Sequence, residues 1–434
     1  MAYQVFFHTL GCKVNAYETA AISKLLAEEG FTETKDPKEA DVYVINTCAV
    51  TAEADRKSRQ MIHRARRTAP KAVVVAMGCH TEMNRDEEGA DILVGTEDRP
   101  KLVPLLLEKL KLREKTEETE DLDAGTRFFE YGSVLLSENT RAVVKIEDGC
   151  NNFCTYCIIP YSRGRVRSRS REAILQEISD LTKKGYSEFV ITGIHLCSYE
   201  KEQGADETAL GHLLSAISGI GGVKRIRLGS LEPSCMTPEL ITILKENKKL
   251  CPHFHLSLQS GSDTVLKRMN RKYDTALFRK VVADLREAFP NASMTTDMIC
   301  GFPGETEEEH KESCAFAEEI GFTHIHVFPF SPREGTKAYS MQGQVDGGTK
   351  SRRTAQLREI SDRMEEGRTK DFLGKNVEVL VEETGDDGSF EGYCREYVRV
   401  RGKREGTASG QILLGTVTGS DGFVLLGENF HSES

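Results

Sequence analysis

The chain has 434 residues, 38% hydrophobic and 29% charged, with a formal net charge of −10 at pH 7. That length allows two or three domains, each with its own core, and the absence of any eighteen-residue apolar run excludes a helical membrane span. A net negative charge excludes binding to nucleic acid by bulk charge, although a local basic cluster still permits it.

The start, MAYQVFFHTLGCK, has too short an apolar stretch and no small-residue cleavage site for a signal peptide, so a cytoplasmic location is expected. There the twelve cysteines stay reduced and serve metals or catalysis in preference to disulfides. Residues 1–110 repeat one pattern: YQVFFHTLGC, ADVYVINTC and AVVVAMGC are short apolar runs that end in a small residue and then cysteine. Between them, AYETAAISKLLAEEG has apolar positions at spacings of three and four and stops at Gly30. Alternating strands and helices predict a parallel α/β sheet. Ligands bind such sheets at the strands' carboxyl ends, which places Cys12, Cys48 and Cys79 at one edge. The competing reading is three unrelated buried thiols.

Residues 111–138 open with KLREKTEETEDLDA, charged and almost without apolar residues, and are expected to be a solvated linker. Over 139–370, six further strands are predicted at RAVVKIEDGC, EFVITGIHL, VKRIRLGSL, HFHLSLQSG, SMTTDMICGF and HIHVFPFS, with helix-length segments between them. This pattern predicts a partial (β/α)6 barrel with its functional groups at the strands' C-terminal ends. From 371 to 434, short strands with Gly- and Asp-rich turns predict a small antiparallel β-barrel.

The first barrel strand leads into CNNFCTYC, with Cys150, Cys154 and Cys157 on one loop at the predicted active mouth. A structural zinc site takes four ligands, usually in paired hooks, and no second CxxC exists in the chain. Three thiolates instead suit one 4Fe–4S cube with one iron left open for a small ligand. The loop, with Tyr156 before its last cysteine, resembles that of the radical S-adenosylmethionine (SAM) superfamily. That resemblance implies SAM as the occupant of the open iron and an adenosyl radical as its product. It also implies SAM contacts at the strand ends: Thr192 and Gly193 after strand two, Ser230 and Glu232 after strand three, and Ser257 and Gln259 after strand four. Gly301 and Gly304 follow strand five in DMICGFPGE.

Taken over its whole length, the chain resembles the methylthiotransferase family: an N-terminal cysteine domain, a radical SAM barrel and a small TRAM-like barrel, in this order. The resemblance implies a second, auxiliary 4Fe–4S cluster on Cys12, Cys48 and Cys79 that holds sulfur. One SAM would methylate that sulfur and a second would generate the radical. An electron donor such as flavodoxin or ferredoxin is implied, and neither DNA nor membrane is expected as a partner.

An RNA substrate is favoured by three basic stretches. Arg395, Tyr397, Arg399, Arg401 and Lys403 share parity and would line one strand face, offering phosphate contacts and one aromatic for stacking. YSRGRVRSRSR places Arg163, Arg165, Arg167 and Arg169 after the cluster loop, and ADRKSRQMIHRARR adds a basic helix. Solvated surface faces are the alternative. Within the family, TLGCKVNAYET, LKRMNRKY and PFSPREGTKA most resemble the branch that acts on N6-threonylcarbamoyladenosine in the tRNA anticodon stem-loop. The rivals are the same chemistry on N6-isopentenyladenosine and a non-enzymatic RNA-binding iron–sulfur sensor. The other six cysteines share no spacing, with only Cys197 and Cys300 near strand ends. His253 and His255 alternate on strand four and read as core histidines.

Overall fold

The structure, a computed structural model, describes residues 3–111, 128–134 and 140–432. Of the expected linker, 112–127 and 135–138 lie outside the described residues.

In the first lobe the chain runs β1 (Gln4–Thr9), α1 (Lys13–Glu28), β2 (Thr32–Glu33), β3 (Val42–Thr47), α2 (Ala52–Thr68), β4 (Val73–Gly78), α3 (Cys79–Met83), β5 (Ile92–Val94) and α4 (Leu102–Lys109). The strands form one parallel sheet in the order β2-β1-β3-β4-β5. Every residue of the central strand β3 is buried, as a strand covered by helices on both faces requires. Two apolar cores result, one around Val44, Val75 and Leu26 and the other around Ile45, Val74 and Ile62. Helix α2 starts where Thr51 accepts from the Ala54 N–H and so satisfies an end-of-helix donor.

The second lobe holds β6 (Ala142–Lys145), β7 (Glu147–Asp148), α5 (Ile159–Ser162), β8 (Arg167–Ser168), α6 (Arg171–Lys183), β9 (Glu188–Thr192), α7 (Ala209–Ser218), β10 (Arg225–Leu228), β11 (Ser230–Leu231), α8 (Pro238–Glu246), β12 (His253–Leu256), α9 (Asp263–Arg268), α10 (Thr275–Ala288), β13 (Ser293–Cys300), α11 (Glu307–Ile320), β14 (His324–Pro329) and α12 (Gly347–Lys370). All strand pairs between β6-β9-β10 and along β11-β12-β13-β14 are parallel. The strand expected at VKRIRLGSL is broken at Gly229 into β10 and β11, and a single Ile226–Leu250 bridge links β10 to the segment before β12. The outward strand face carries Phe254, Met294 and Ile325 into a core shared with the surrounding helices. The opposite face is left lining an open barrel. Strands β7 and β8 form an antiparallel pair that frames the cysteine loop between them.

The third lobe is a closed barrel of β15 (Asn376–Thr384), β16 (Ser389–Cys394), β17 (Arg399–Lys403), β18 (Ile412–Asp421) and β19 (Val424–Ser432), in the order β15-β16-β17-β19-β18. Four of its pairs are antiparallel, but β17 and β19 run parallel, so the wholly antiparallel expectation is corrected at that seam. The lobe docks against the N-terminal ends of the second lobe's strands. Arg225 and Arg227 of β10 donate to the Cys394 carbonyl at 3.1 and 3.3 Å, and Arg395 donates to Leu250 O at 2.9 Å. Among the described residues, no helix is long and apolar enough to cross a membrane.

Candidate functional site

Three parallel strands of the first lobe end side by side, and each is followed by a cysteine. Cys12 caps α1, Cys48 follows β3, and Cys79 begins α3 directly after β4. Gly11 and Gly78 precede two of these cysteines with φ of +103° and +106°, a region that suits glycine. The turn at Gly11 is tight enough that a Cβ there would lie 3.1 Å from Cys48 Sγ. Asn15 of α1 locks the edge by donating to Leu10 O at 2.8 Å and Thr47 O at 3.0 Å. Cys48 and Cys79 are buried and Cys12 is exposed. Burial pushes the Cys48 thiol up to about 11, and the neighbouring Cys79 and Cys12 add to it. Cys79 is raised by burial too, with Arg163 opposing. Thiols clustered this way ionise when a cation arrives, which is the behaviour of a metal site.

The second triad sits on the loop between β7 and α5. Gly149, at φ +82°, turns the chain into Cys150, where any Cβ would collide with the Arg165 carbonyl. Phe153 is also at positive φ, and its carbonyl accepts from Asn270 at 3.1 Å. Thr155 N–H donates to Met269 O, so the segment 268–271 after α9 cradles the loop. From that segment, Arg271 reaches Cys154 Sγ at 3.0 Å and Ser257 O at 3.3 Å. Burial raises Cys150 to about 11 and Cys157 to about 12.

Around this loop lie carboxylates with unused acceptors. Glu232 Oε2 accepts from Asn152 of the loop at 2.5 Å and lies 2.7 Å from His195 Nε2, while Glu232 Oε1 is buried with no hydrogen-bond partner. Glu147 accepts from the His195 N–H, its Oε2 is also unpartnered, and burial lifts it to about 8. A Cβ at Gly193 would collide with Glu147, so that strand end needs glycine. Two carboxylate oxygens that make no hydrogen bond, Glu147 Oε2 and Glu232 Oε1 with Arg271 3.7 Å from the latter, lie beside three thiols and fit a cationic amino-acid ligand bound over a cluster. The donor sets of both triads suit iron–sulfur ligation.

The other predicted SAM residues are placed unequally. Thr192 is buried at the end of β9, and Ser257 is tied to the loop through Arg271. Gln259 holds a left-handed φ of +70°, pinned by bonds to Asp297 O and from Ile299 N–H. Ser230 is exposed on β11. Tyr156 packs against Val265, Met269 and Phe302 and so supplies an apolar wall. Gly301 and Gly304 form a turn whose N–H groups bond to Glu305 and Gly343.

The two triads are joined by a buried ion network absent from the expectations. Glu18, on α1 behind Cys12, contacts Lys145 at 2.8 Å, Arg163 at 2.9 Å and Arg99 at 2.8 Å. Asp148, two residues before Cys150, shares Lys145 at 2.6 Å and Arg163 at 3.1 Å. Arg163 also donates to Asn15 Oδ1 at 2.7 Å. Burial pushes the Glu18 carboxyl up, but its three cations outweigh that and bring it to about 2.

This network corrects the reading of YSRGRVRSRSR as an RNA surface. Arg163 and Arg169 are fully buried, and Arg167 is 7% exposed, donating to Arg163 O and Arg165 O. Only Arg165 is exposed, over the Phe153 ring at 4.6 Å. The third lobe needs a similar correction. Tyr397 adopts a left-handed φ of +65° ahead of β17 and stacks on His253 at 4.8 Å, and Arg395 turns towards Leu250. Both residues plug the lobe interface. Arg399, Arg401 and Lys403 do share an exposed face, where Glu391 and Asp387 partly neutralise them.

Residues 144–317 match the Radical SAM superfamily, and residues 4–94 match a family described as Uncharacterized protein family UPF0004. The chain is 41% identical over 405 residues to the threonylcarbamoyladenosine tRNA methylthiotransferase MtaB of Bacillus subtilis (strain 168), covering 91% of this chain and 89% of the relative. It is 34% identical over 385 residues to the tRNA-2-methylthio-N(6)-dimethylallyladenosine synthase of Acetivibrio thermocellus, covering 86% of this chain and 80% of the relative. Among solved structures, the radical S-adenosylmethionine methyltransferase TsrM from Kitasatospora setae, with cobalamin and a [4Fe-4S] cluster bound, superposes with a TM-score of 0.59 at 14% identity. That match spans 78% of this chain and 77% of the other, and at this identity it speaks for the fold.

Proposed function

The chain belongs to the radical SAM tRNA methylthiotransferases, and from that premise we propose that it methylthiolates C2 of N6-threonylcarbamoyladenosine at position 37 of tRNA. One SAM donates the methyl group and a second is consumed reductively to 5′-deoxyadenosine. The observation that carries this reading is 41% identity across 89% of a relative named for that nucleoside, with Cys12, Cys48 and Cys79 after three adjacent strand ends and Cys150, Cys154 and Cys157 on one loop.

When bound, a 4Fe–4S cluster on Cys150, Cys154 and Cys157 supplies the electron for SAM cleavage, and one on Cys12, Cys48 and Cys79 supplies a seat for the sulfur to be inserted. The protein's own groups do the rest. Glu232 and Glu147 offer the oxygens that make no hydrogen bond to the cationic end of SAM, and Asn152 and His195 hold Glu232 in place. Arg271 holds positive charge against Cys154. The Glu18–Arg163–Asp148 network keeps the two triads in one fixed relation, and orientation of this kind lowers the barrier for a step between two bound partners. Exposed Arg165, Arg399, Arg401 and Lys403 are the proposed phosphate contacts for the anticodon stem-loop. A flavodoxin- or ferredoxin-type donor and a cytoplasmic location complete the reading.

The test is a mass-spectrometric nucleoside digest of tRNA from cells lacking this gene, after reaction with reconstituted, reduced enzyme and SAM. A methylthio gain on threonylcarbamoyladenosine is expected. A gain confined to isopentenyladenosine would reassign the substrate, and no gain on any nucleoside would reject it.

A further inference from the structure

Strands β12, β13 and β14 lie side by side at the open end of the second lobe's sheet. Their inward faces carry His253, His255, Thr295, Asp297, His326 and Phe328, all turned away from the apolar core formed by Phe254, Met298 and Val327. The strands are in register, with Asp297 beside His326 and His255 beside Thr295. One ligand-type atom from each of His255, Asp297 and His326 lies within 4.8 Å of the others. His255 Nε2 is 3.3 Å from Asp297 Oδ2, and its Nδ1 is 3.0 Å from Thr295 Oγ1, which orients the ring. His326 is exposed, and its ring nitrogens have no hydrogen-bond partner among the described residues. Its pKa is lowered by burial and by His324, which favours the neutral imidazole that can both donate and accept.

This cluster is close to the cysteine loop. Ser257 is two residues beyond His255, about 7 Å along a strand, and its carbonyl accepts from the guanidinium that touches Cys154. Phe328, 47% exposed, follows His326 on the same face, beside Ile299. A large apolar ring bared to the interior next to polar groups with spare capacity is an arrangement for one ligand that is flat and apolar at one end and polar at the other.

We infer that His255, Asp297 and His326 recognise the polar appendage of the target nucleoside while Phe328 stacks on its purine. The inference rests on the substrate reading above. A carbamoyl amino-acid appendage carries ureido N–H and hydroxyl donors together with a carboxylate. Asp297 accepts from the donors and the His326 imidazole, whose nitrogens are free among the described residues, donates to the carboxylate, while His255 holds Asp297 in place. An isoprenoid appendage has neither and would leave Asp297 and His326 desolvated without partners. Sites built around such hydrogen bonds reject analogues that lack them far more strongly than apolar pockets do. Base stacking on Phe328 is indifferent to the appendage and serves both substrates alike.

The experiment uses the full-length reconstituted enzyme and two anticodon stem-loop RNAs, one bearing threonylcarbamoyladenosine and the other isopentenyladenosine. Wild type is expected to prefer the first. His326→Phe, at an exposed position on an edge strand, and Asp297→Asn are each expected to lower kcat/KM on that RNA by about tenfold or more. The loss falls mainly on KM, and activity on the isopentenyl RNA is not reduced, so the preference collapses. Phe328→Ala is expected to lower both by a similar factor, about tenfold. Cluster iron and circular dichroism verify that the variants fold. If wild type prefers the threonylcarbamoyl RNA and both polar variants keep that preference, this assignment fails while the substrate reading stands. Wild type inactive on that RNA overturns the substrate reading itself. One equivalent of zinc or manganese per chain, bound by wild type and lost in His326→Phe, would make the cluster a metal centre and overturn the recognition role.

Discussion

Cys150, Cys154 and Cys157 share one loop, whereas Cys12, Cys48 and Cys79 are dispersed through the first lobe and meet because three parallel strands end at one edge. The loop triad is shaped by its own turn and by the 268–271 segment that cradles it. The dispersed triad is shaped by its strand-end glycines and by Asn15, which ties two of the strand ends together, and depends on the whole sheet. The difference teaches that a reactive loop and a converged edge can serve one reaction only if something fixes their mutual distance. The buried Glu18–Lys145–Arg163–Asp148 cluster spans the gap, with members flanking both triads, and is our proposed fixture.

The largest test of this comparison is Glu18→Gln. It leaves three buried cations short of one carboxylate, and breaking such a network costs about 3–5 kcal/mol. A lower unfolding midpoint is expected, together with a higher ratio of 5′-deoxyadenosine to methylthiolated nucleoside. An unchanged ratio in the folded variant would show that the network serves stability alone. Arg271→Met acts on the loop triad only. It removes the donor to Cys154, and a decrease in SAM cleavage of about a hundredfold is expected, with the iron on Cys12, Cys48 and Cys79 retained.

Glu147 sharpens the comparison through pH. Burial raises its folded value to about 8 from the ordinary carboxylate range. Below that ordinary range both states are protonated. As pH rises from there to about 8 the unfolded chain sheds its proton first, so the ligand-free protein loses stability on this account, at most about 1.4 kcal/mol per pH unit. Glu147→Gln should flatten that slope in denaturant titrations at successive pH values, and an unaltered slope would assign it to another group. The smallest effect is expected at β17. Replacing Arg399, Arg401 and Lys403 with alanine should weaken tRNA binding by about 1 kcal/mol and lower its salt dependence, because Glu391 and Asp387 already offset these charges. Unchanged affinity at low salt would exclude the face from RNA contact.

Legibility in the sequence followed the same division. The strand-then-cysteine repeat and the six barrel strands are local patterns, and the parallel sheets they imply are present. The cysteine spacing of the loop pointed to its chemistry for the same reason. What failed to show was non-local. Arg163, Arg167 and Arg169 look like a solvated basic run because Glu18, Asp148 and Glu177 approach from other elements. Tyr397 obeys the strand parity of its neighbours, yet a left-handed turn carries it into the lobe interface. The parallel β17–β19 seam depends on barrel closure, which strand pattern alone does not encode. Arg271 gave no signal, since a lone arginine after a helix is ordinary until the loop lies on it. His255 read as a core histidine because its partners, Thr295 and Asp297, are supplied by the neighbouring strand β13.

The central claim is that the two triads divide the labour, and it is tested most directly by measuring 5′-deoxyadenosine and methylthiolated nucleoside in the same reactions. The variants are Cys150/Cys154/Cys157→Ala and Cys12/Cys48/Cys79→Ala. The first is expected to yield neither product, and the second to release 5′-deoxyadenosine with no methylthiolated nucleoside. Methylthiolation by the second variant, or SAM cleavage by the first, would contradict the account.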